Sequence, residues 1–383
     1  MLRDLTDEEA RRALPCKWGM VEPDVLPAWV AEMDYALAPP IAAALQEAVA
    51  AGMTGYPDFP VGGPLGEAYA GFADRHFGHT VHPTHVIPTV DVTAGVRLAL
   101  DALSEPAPVV MTLPGYPPLL DVGGVTGRER WDLVVDPDAA RAEIDLGALE
   151  RHLAAGARTV LLTNPHNPWG RVLTRRELER VRDLVTRYAA RVVADEIHAP
   201  LVLPGSPPHV PYLSLEGTAD HAVAVVAASK AFNVAGLRCA QVVVGDNATR
   251  DLVRSLPMVR NDSWSPLGVV AAIAAYTDGD AWLASLVTRL GEQRDLFADL
   301  LAAHLPEARM RPLEATYLAW VDLRAYGHDD PAAVAHGKGR VRLAPGHDYH
   351  PGLTGHVRVN LATSPGRLTQ VVQRTAAALG GPR

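Results

Sequence analysis

The chain has only three lysines, Lys17, Lys230 and Lys338, among 35 Lys and Arg residues. Chemistry that needs a primary amine therefore has few candidates. Lys230 directly follows the apolar run 222–228 and Ser229. An ammonium at the end of a buried strand is costly unless it is paired, neutralised or covalently used. Burial also lowers its pKa, which suits an amine that must form an imine. The plainer alternative is a lysine that snorkels to the surface. Asn167, in Asn164-Pro-His-Asn167-Pro-Trp-Gly170, offers a directional amide on a loop fixed by two prolines and a glycine. The same residues also suit a simple tight turn. Asp195 opens Asp195-Glu-Ile-His198 after another apolar run. There a carboxylate can pair with a protonated ring nitrogen, or merely cap a helix. Arg358, in Arg358-Val-Asn360, could grip a carboxylate with a bidentate fork or form a surface ion pair. Arg238 lies just beyond Lys230 in the same segment.

The elements that must position these residues follow from periodicity. Segments 108–112, 159–163, 191–194, 222–227 and 241–244 are rich in Val and Leu and lack polar alternation, as expected of strands covered on both faces. Segment 174–190 opens with a capping box, Thr174 and Glu177, and continues with apolar residues at helical spacing. Strand, helix, strand at this rhythm predicts parallel βαβ units, whose ligands bind at the carboxyl ends of the strands. Asn167, Asp195 and Lys230 each fall just after such a strand. Beyond residue 265 the texture changes. Helices are expected over 266–276, 281–304 and 367–379, and strands over 316–323, 340–343 and 356–361, together a smaller α+β unit. Segments 57–66 and 204–211 read as Pro- and Gly-rich loops.

Composition narrows the function classes. A net charge of -9 without a basic run argues against nucleic acid or an anionic membrane as partner. Cys16 and Cys239 are too far apart for a CxxC pair, so neither a disulfide framework nor a metal site is expected. The charged N-terminus has no apolar signal core, and no apolar run is long enough to span a bilayer; a cytoplasmic enzyme is the expectation.

The ordered set resembles a fold-type I pyridoxal-phosphate (PLP) enzyme of the aspartate aminotransferase superfamily (class I/II). Within it the chain is similar to the MalY/PatB branch of cystathionine β-lyases. The strings that carry this are Lys17-Trp18, Pro27-Ala-Trp-Val-Ala-Glu-Met-Asp34-Tyr35, Thr54-Gly-Tyr56-Pro, Pro114-Gly-Tyr116-Pro-Pro, the Asn167 loop, Asp195-Glu-Ile-His198, Ser229-Lys230-Ala-Phe-Asn-Val-Ala-Gly236, Ala315-Thr-Tyr-Leu-Ala-Trp320 and Arg358-Val-Asn-Leu. The resemblance implies an α/β fold, with a mostly parallel seven-stranded sheet between helices in the large domain and a smaller α+β domain. The implied division is an N-terminal segment (1–40) packing with the small domain, a large PLP-binding domain (41–270) and a small C-terminal domain (271–383).

It also implies roles. Lys230 holds PLP as a Schiff base and moves the Cα proton. Asp195 pairs with the pyridine nitrogen. Asn167 and His198 contact the phenolic oxygen, and Tyr116 stacks on the ring. Gly95, Val96 and Arg97 offer backbone N–H groups to the phosphate, aided by Ser229 and Arg238. Tyr56 comes from the second subunit of a homodimer with shared active sites. Arg358 holds the substrate α-carboxylate with help from Asn167 and backbone near Ala31. Tyr35, Asp58, Phe59 and Trp264 are candidates for the substrate pocket. Departures from the family pattern include Ala227, where a phosphate-binding Ser or Thr is common, Arg97-Leu98, and Gly19 after Lys17-Trp18.

The implied reaction is PLP-dependent β-elimination from an S-substituted L-cysteine, through aldimine and quinonoid intermediates, to thiol, pyruvate and ammonia. Transamination by a class I/II aminotransferase uses the same lysine, aspartate and arginine, so the residues alone leave both open. A partner-binding regulatory protein on the same fold is the third possibility; no basic tail or DNA-reading pattern supports contact with nucleic acid.

Overall fold

In a computed structural model of the chain, residues 2–57 and 62–380 are described. The strands in chain order begin with β1 (Leu26–Ala28) and β2 (Val86–Thr89), followed by β3 (Val109–Leu113), β4 (Arg130–Val134), β5 (Thr159–Thr163) and β6 (Arg191–Asp195). After these come β7 (Ala222–Val226) and β8 (Ala240–Val244). The seven strands β2 to β8 form one sheet in the order β2-β8-β7-β6-β5-β3-β4. β3 to β7 run parallel, whereas β8 is antiparallel to both β7 and β2. All five predicted runs are present within a residue or two. The exception to the parallel expectation is 241–244. Between β7 and β8 the chain makes short turns and a 3-10 helix, Ala235–Leu237, with no α-helix, and an antiparallel return needs no helical crossover. β3, β5, β7 and β8 are buried at every position, which is why their sequences read as continuous apolar runs.

The two strands that the sequence did not announce are the edges of the sheet. β2 carries Pro88, tolerated where one side of the strand has no ladder to feed. β4 is half-exposed and reads Arg-Trp-Asp-Leu-Val. The helix predicted from 174 runs over Arg175–Arg187, with the Thr174–Glu177 capping box formed at both ends.

A five-stranded sheet follows, from β9 (Arg309–Met310), β10 (Leu318–Asp322), β11 (Val341–Pro345) and β12 (His356–Asn360), in the order β1-β11-β12-β10-β9. β1 pairs in parallel with β11, so the N-terminal segment supplies an edge of the C-terminal sheet. The expected strand 316–323 contracts to β10 because Thr316 sits at φ 67. Helices Asp280–His304 and Pro365–Leu379 cover this sheet, packed on each other. The helix Val92–Leu103 lies on one face of the seven-stranded sheet, where Val96 and Leu100 meet Val109, Val225 and Val242. The other face joins a core continuous with the small sheet. No helix of the described residues is long and apolar enough to cross a membrane.

Candidate active site

Parallel strands end on one edge, and the chemistry gathers there. A cavity is lined by Tyr116 after β3, Asn167 after β5, Asp195 and His198 at the end of β6, and Ser229 and Lys230 after β7. Arg238 and Ala31 close it. Most of the residues singled out from sequence therefore meet in one place, although they span more than half the chain.

Burial sets the protonation of the site. Asp195 is 4% exposed, with no ion-pair partner among the described residues. Burial pushes its carboxyl up to about 7, against the opposing effects of the Ile197 N–H, 3.2 Å from Oδ1, and of the Lys230 charge. Lys230 is pulled the other way. Burial, and then the Arg358 charge, lower its amine to about 8. Its Nζ donates to the Ala31 carbonyl at 3.1 Å. His198 is buried and held at about 3 by burial and by the Lys230 and Arg358 charges, so it is a neutral imidazole at neutral pH. Its Nδ1 is buried without a protein partner.

Arg358, on β12, enters from the small sheet. It is 4% exposed, donates to Asn167 Oδ1 at 3.1 Å and to the Trp29 carbonyl at 2.7 Å, and lies over the Tyr349 ring at 5.0 Å. No described carboxylate pairs with it, and its Nε has no partner. A buried guanidinium with only neutral partners is set to receive a planar anion.

Segment 29–33 straps these groups together. Its carbonyls are held in turn: Trp29 by Arg358, Val30 by Asn360 at 2.6 Å, Ala31 by Lys230 and by the Tyr317 hydroxyl at 3.0 Å. The Glu32 carbonyl accepts from Asn360 at 2.7 Å and from Lys17 Nζ at 3.1 Å, and Met33 is held by Asn233 at both backbone groups. Lys17 itself is fully buried in an ion pair with Asp34 at 2.9 Å.

Several expectations need correction. Gly95, Val96 and Arg97 lie beyond the first turn of the helix Val92–Leu103, so their N–H groups are spent inside it; that of Gly95 donates to the Asp91 carbonyl at 2.9 Å. Gly95 has a packing reason instead. A Cβ there would stand 2.7 Å from Val225 Cγ1, so glycine lets the helix close on the sheet. Arg97 faces outward. The helix N-terminus that lines the cavity is Asp91-Val92-Thr93. Asp91 caps it through the Ala94 N–H at 2.7 Å and pairs with Arg238 at 2.7 Å. An Asp before a periodic apolar run was the signal that could have located this start. Tyr35 does not line the cavity: its buried hydroxyl donates to the Thr363 carbonyl at 3.0 Å. Trp264 lines a separate cavity with Ile87, Pro88, Val253 and Arg254. Asp58 and Phe59 lie outside the described residues. Tyr56 is 99% exposed and absent from its own chain's cavity lining. Tyr317, Tyr349, Trp29 and Asn360 were missed as supports, because aromatic and amide residues on strands look like core.

The residues fit pyridoxal phosphate. Asp195 offers a carboxylate to a protonated ring nitrogen. Tyr116 and Ile197 line the cavity as candidate walls for a flat ring. The orphaned His198 Nδ1 and the Asn167 amide can meet its phenolic oxygen. The free N–H groups of Val92 and Thr93, with Ser229 and Arg238, make an anion cup.

A buried amine between an uncompensated carboxylate and an uncompensated guanidinium, at the carboxyl edge of a mostly parallel sheet, defines a site for amino-acid chemistry on a bound aldehyde. The chain belongs to the family of class I and II aminotransferases, whose pattern matches residues 29–374. It is 37% identical to a candidate cystathionine β-lyase of Mycobacterium leprae (strain TN), over 99% of this chain and 98% of that one. It is 34% identical to a cystathionine β-lyase of Corynebacterium glutamicum, over 97% and 98%. A crystal structure of a candidate PLP-dependent β-cystathionase from Corynebacterium diphtheriae superposes with a TM-score of 0.94 at 32% identity, covering all of both chains.

Proposed function

We propose that the protein is a PLP-dependent carbon–sulfur β-lyase that splits an S-substituted L-cysteine into thiol, pyruvate and ammonia. The observation that carries an α-amino-acid substrate is the buried Arg358, held by Asn167 and the Trp29 carbonyl with no carboxylate of its own. The choice of a sulfur leaving group is supported by the full-length likeness to proteins named for cystathionine β-lyase activity. When bound, pyridoxal phosphate supplies a carbonyl that takes up amines and an electron sink for the charge left when a Cα proton departs. Lys230 provides the amine that carries the cofactor and the base that removes this proton. Its lowered pKa leaves the neutral form accessible near pH 8. Asp195 keeps the ring nitrogen protonated, and Arg358 fixes the substrate carboxylate so that the Cα–H bond faces the lysine.

Tyr56, almost wholly exposed on a single chain, is assigned to the site of a second copy, giving a homodimer with shared sites in the cytoplasm. The deciding assay is incubation of the purified holoenzyme with L-cystathionine and other cysteine S-conjugates. Pyruvate and free thiol in equal amounts are expected. No pyruvate from any conjugate, with keto-acid formation only when an amino acceptor is added, would move the protein to the aminotransferases. Its family match and its 30% identity to a probable N-succinyldiaminopimelate aminotransferase of Mycobacterium tuberculosis, over 76% of this chain, favour that second reading.

A further inference from the structure

Behind Asp195 stands a second buried carboxylate that the site chemistry does not use. Glu196 follows β6 directly and is 3% exposed. It does not line the cavity that Asp195 lines, as expected of consecutive residues at a strand end, whose side chains face opposite sides. Among the described residues no lysine or arginine pairs with it. Its Oε1 accepts the Tyr212 N–H at 2.7 Å, and its Oε2 stands 3.6 Å from His209 Nε2, just beyond hydrogen-bond length.

The polar groups around it fix which atom of His209 faces the carboxylate. Asn164 Oδ1 accepts the Leu173 N–H at 2.9 Å, which turns its amide N–H toward His209 Nδ1 at 3.5 Å. Nδ1 is then the acceptor, so the ring N–H is Nε2, aimed at Glu196. The Phe77 ring packs edge-on against the same imidazole at 5.3 Å. The backbone closes the group. Asn164 N–H donates to the Asp195 carbonyl at 2.9 Å, and Glu196 N–H to the Val225 carbonyl at 3.0 Å. The ends of β5, β6 and β7, which lead to Asn167, Asp195 and Lys230, are thereby tied together.

An imidazole that accepts at Nδ1 is uncharged. With one backbone N–H it orients the carboxylate but does not cancel its charge. Such a charge acts at a distance through the weakly polarisable interior. His79 and Asp195 both feel it. On His79 it opposes burial, the larger effect. On Asp195 burial does most of the raising, the Ile197 N–H opposes it, and the Glu196 charge adds to it.

We infer that Glu196 is a positioning residue for the cofactor contact of Asp195: its fixed negative charge helps keep a proton on the ring nitrogen that Asp195 meets. A protonated ring draws electrons from the Cα–H bond more strongly, so a residue that never touches the ring sets its strength as an electron sink. The inference rests on the reading that Asp195 meets the ring nitrogen.

The test uses cofactor-stripped protein at pH 8, where the free Asp195 carboxyl, at about 7, is mostly ionised. Kd is measured by tryptophan fluorescence for PLP and for its deaza analogue, in which a C–H group replaces the ring nitrogen and holds no proton. Glu196→Gln keeps an acceptor for the Tyr212 N–H and removes the charge. It should weaken PLP about tenfold and the analogue by less than about twofold. Glu196→Asp, which restores the charge, should recover most of that loss. In the loaded enzyme, Glu196→Gln should lower kcat on L-cystathionine about tenfold with KM held, because Arg358 still fixes the substrate. Equal weakening of both ligands would mean a structural role and overturn the inference, as would no weakening of PLP or a loss confined to KM. Asp195→Asn should also weaken PLP far more than the analogue. If it does not, the Asp195 assignment fails and takes the Glu196 inference with it. If it does and Glu196→Gln does not, the Glu196 inference alone fails. Absence of pyruvate in the wild type would defeat the lyase reading alone, because the two Kd values still decide the role of Glu196.

Discussion

Burial drives Lys230 and Asp195 toward their neutral forms from opposite directions, one down to about 8 and the other up to about 7. An unshifted amine, at 10.5, would be only about 0.3% neutral at pH 8, whereas Lys230 is about half neutral there. The sign follows directly: below its folded pKa the amine gains a proton and loses its nucleophilic lone pair. The rate at which cofactor-stripped protein regains its yellow absorbance on adding PLP should therefore climb about tenfold per pH unit below 8 and level off above it. Lys230→Ala should regain no covalent signal at any pH. A profile still climbing at about pH 10 would show that the lysine is not desolvated. At this scale the sequence was informative. A rare lysine after an apolar run and an aspartate after another line one cavity, and an arginine on a late strand is hydrogen-bonded to Asn167 in its wall.

Among the elements, the strap 29–33 is the part that no local pattern announces. Its five carbonyls are held by side chains from residues 17, 230, 233, 317, 358 and 360, so its position is decided by the two sheets together. Asn360 is its main clamp, since it meets two carbonyls while its own oxygen accepts the Ala362 N–H at 2.8 Å. Asn360→Ala leaves those carbonyls unmet in a buried place and should cost about 2 kcal/mol, a melting shift of a few degrees. It should also raise KM about tenfold, with a smaller change in kcat, because the strap sets the place of Arg358 rather than the proton transfer. A lowered melting temperature with KM unmoved would leave Asn360 as a purely structural residue. The two strands of the large sheet that sequence missed, β2 and β4, lie at its edges: β4 is half-wet and carries charge, whereas β2 is buried but only four residues long and interrupted by Pro88.

For the whole molecule, the assignment of Tyr56 to a neighbouring site makes a specific demand. Lys230→Ala and Tyr56→Ala chains should each be nearly inactive alone. Co-expressed, they should form hybrids in which one of the two sites combines an intact Lys230 with an intact Tyr56. With random pairing, half the dimers are hybrids and half of their sites are whole, so about a quarter of wild-type activity should return. Two inactive variants that stay inactive when co-expressed in one dimer population would place Tyr56 on its own chain's site or outside catalysis.

The sequence by itself determined the interior strands and the capped helix over Arg175–Arg187, and singled out the buried Lys230 amine, because these depend on local periodicity and on residue types that are costly unless used. It offered the N–H groups of Gly95 and beyond to the phosphate, whereas the helix itself consumes them. Only the tertiary structure decided that Tyr35 is locked on Thr363 and that β8 runs antiparallel. It alone brought the Glu32 carboxylate and the Trp29 ring together on the backbone of Lys17. Those facts depend on which distant segments share a hydrogen bond, and a one-dimensional pattern of apolar and polar residues carries no record of that choice.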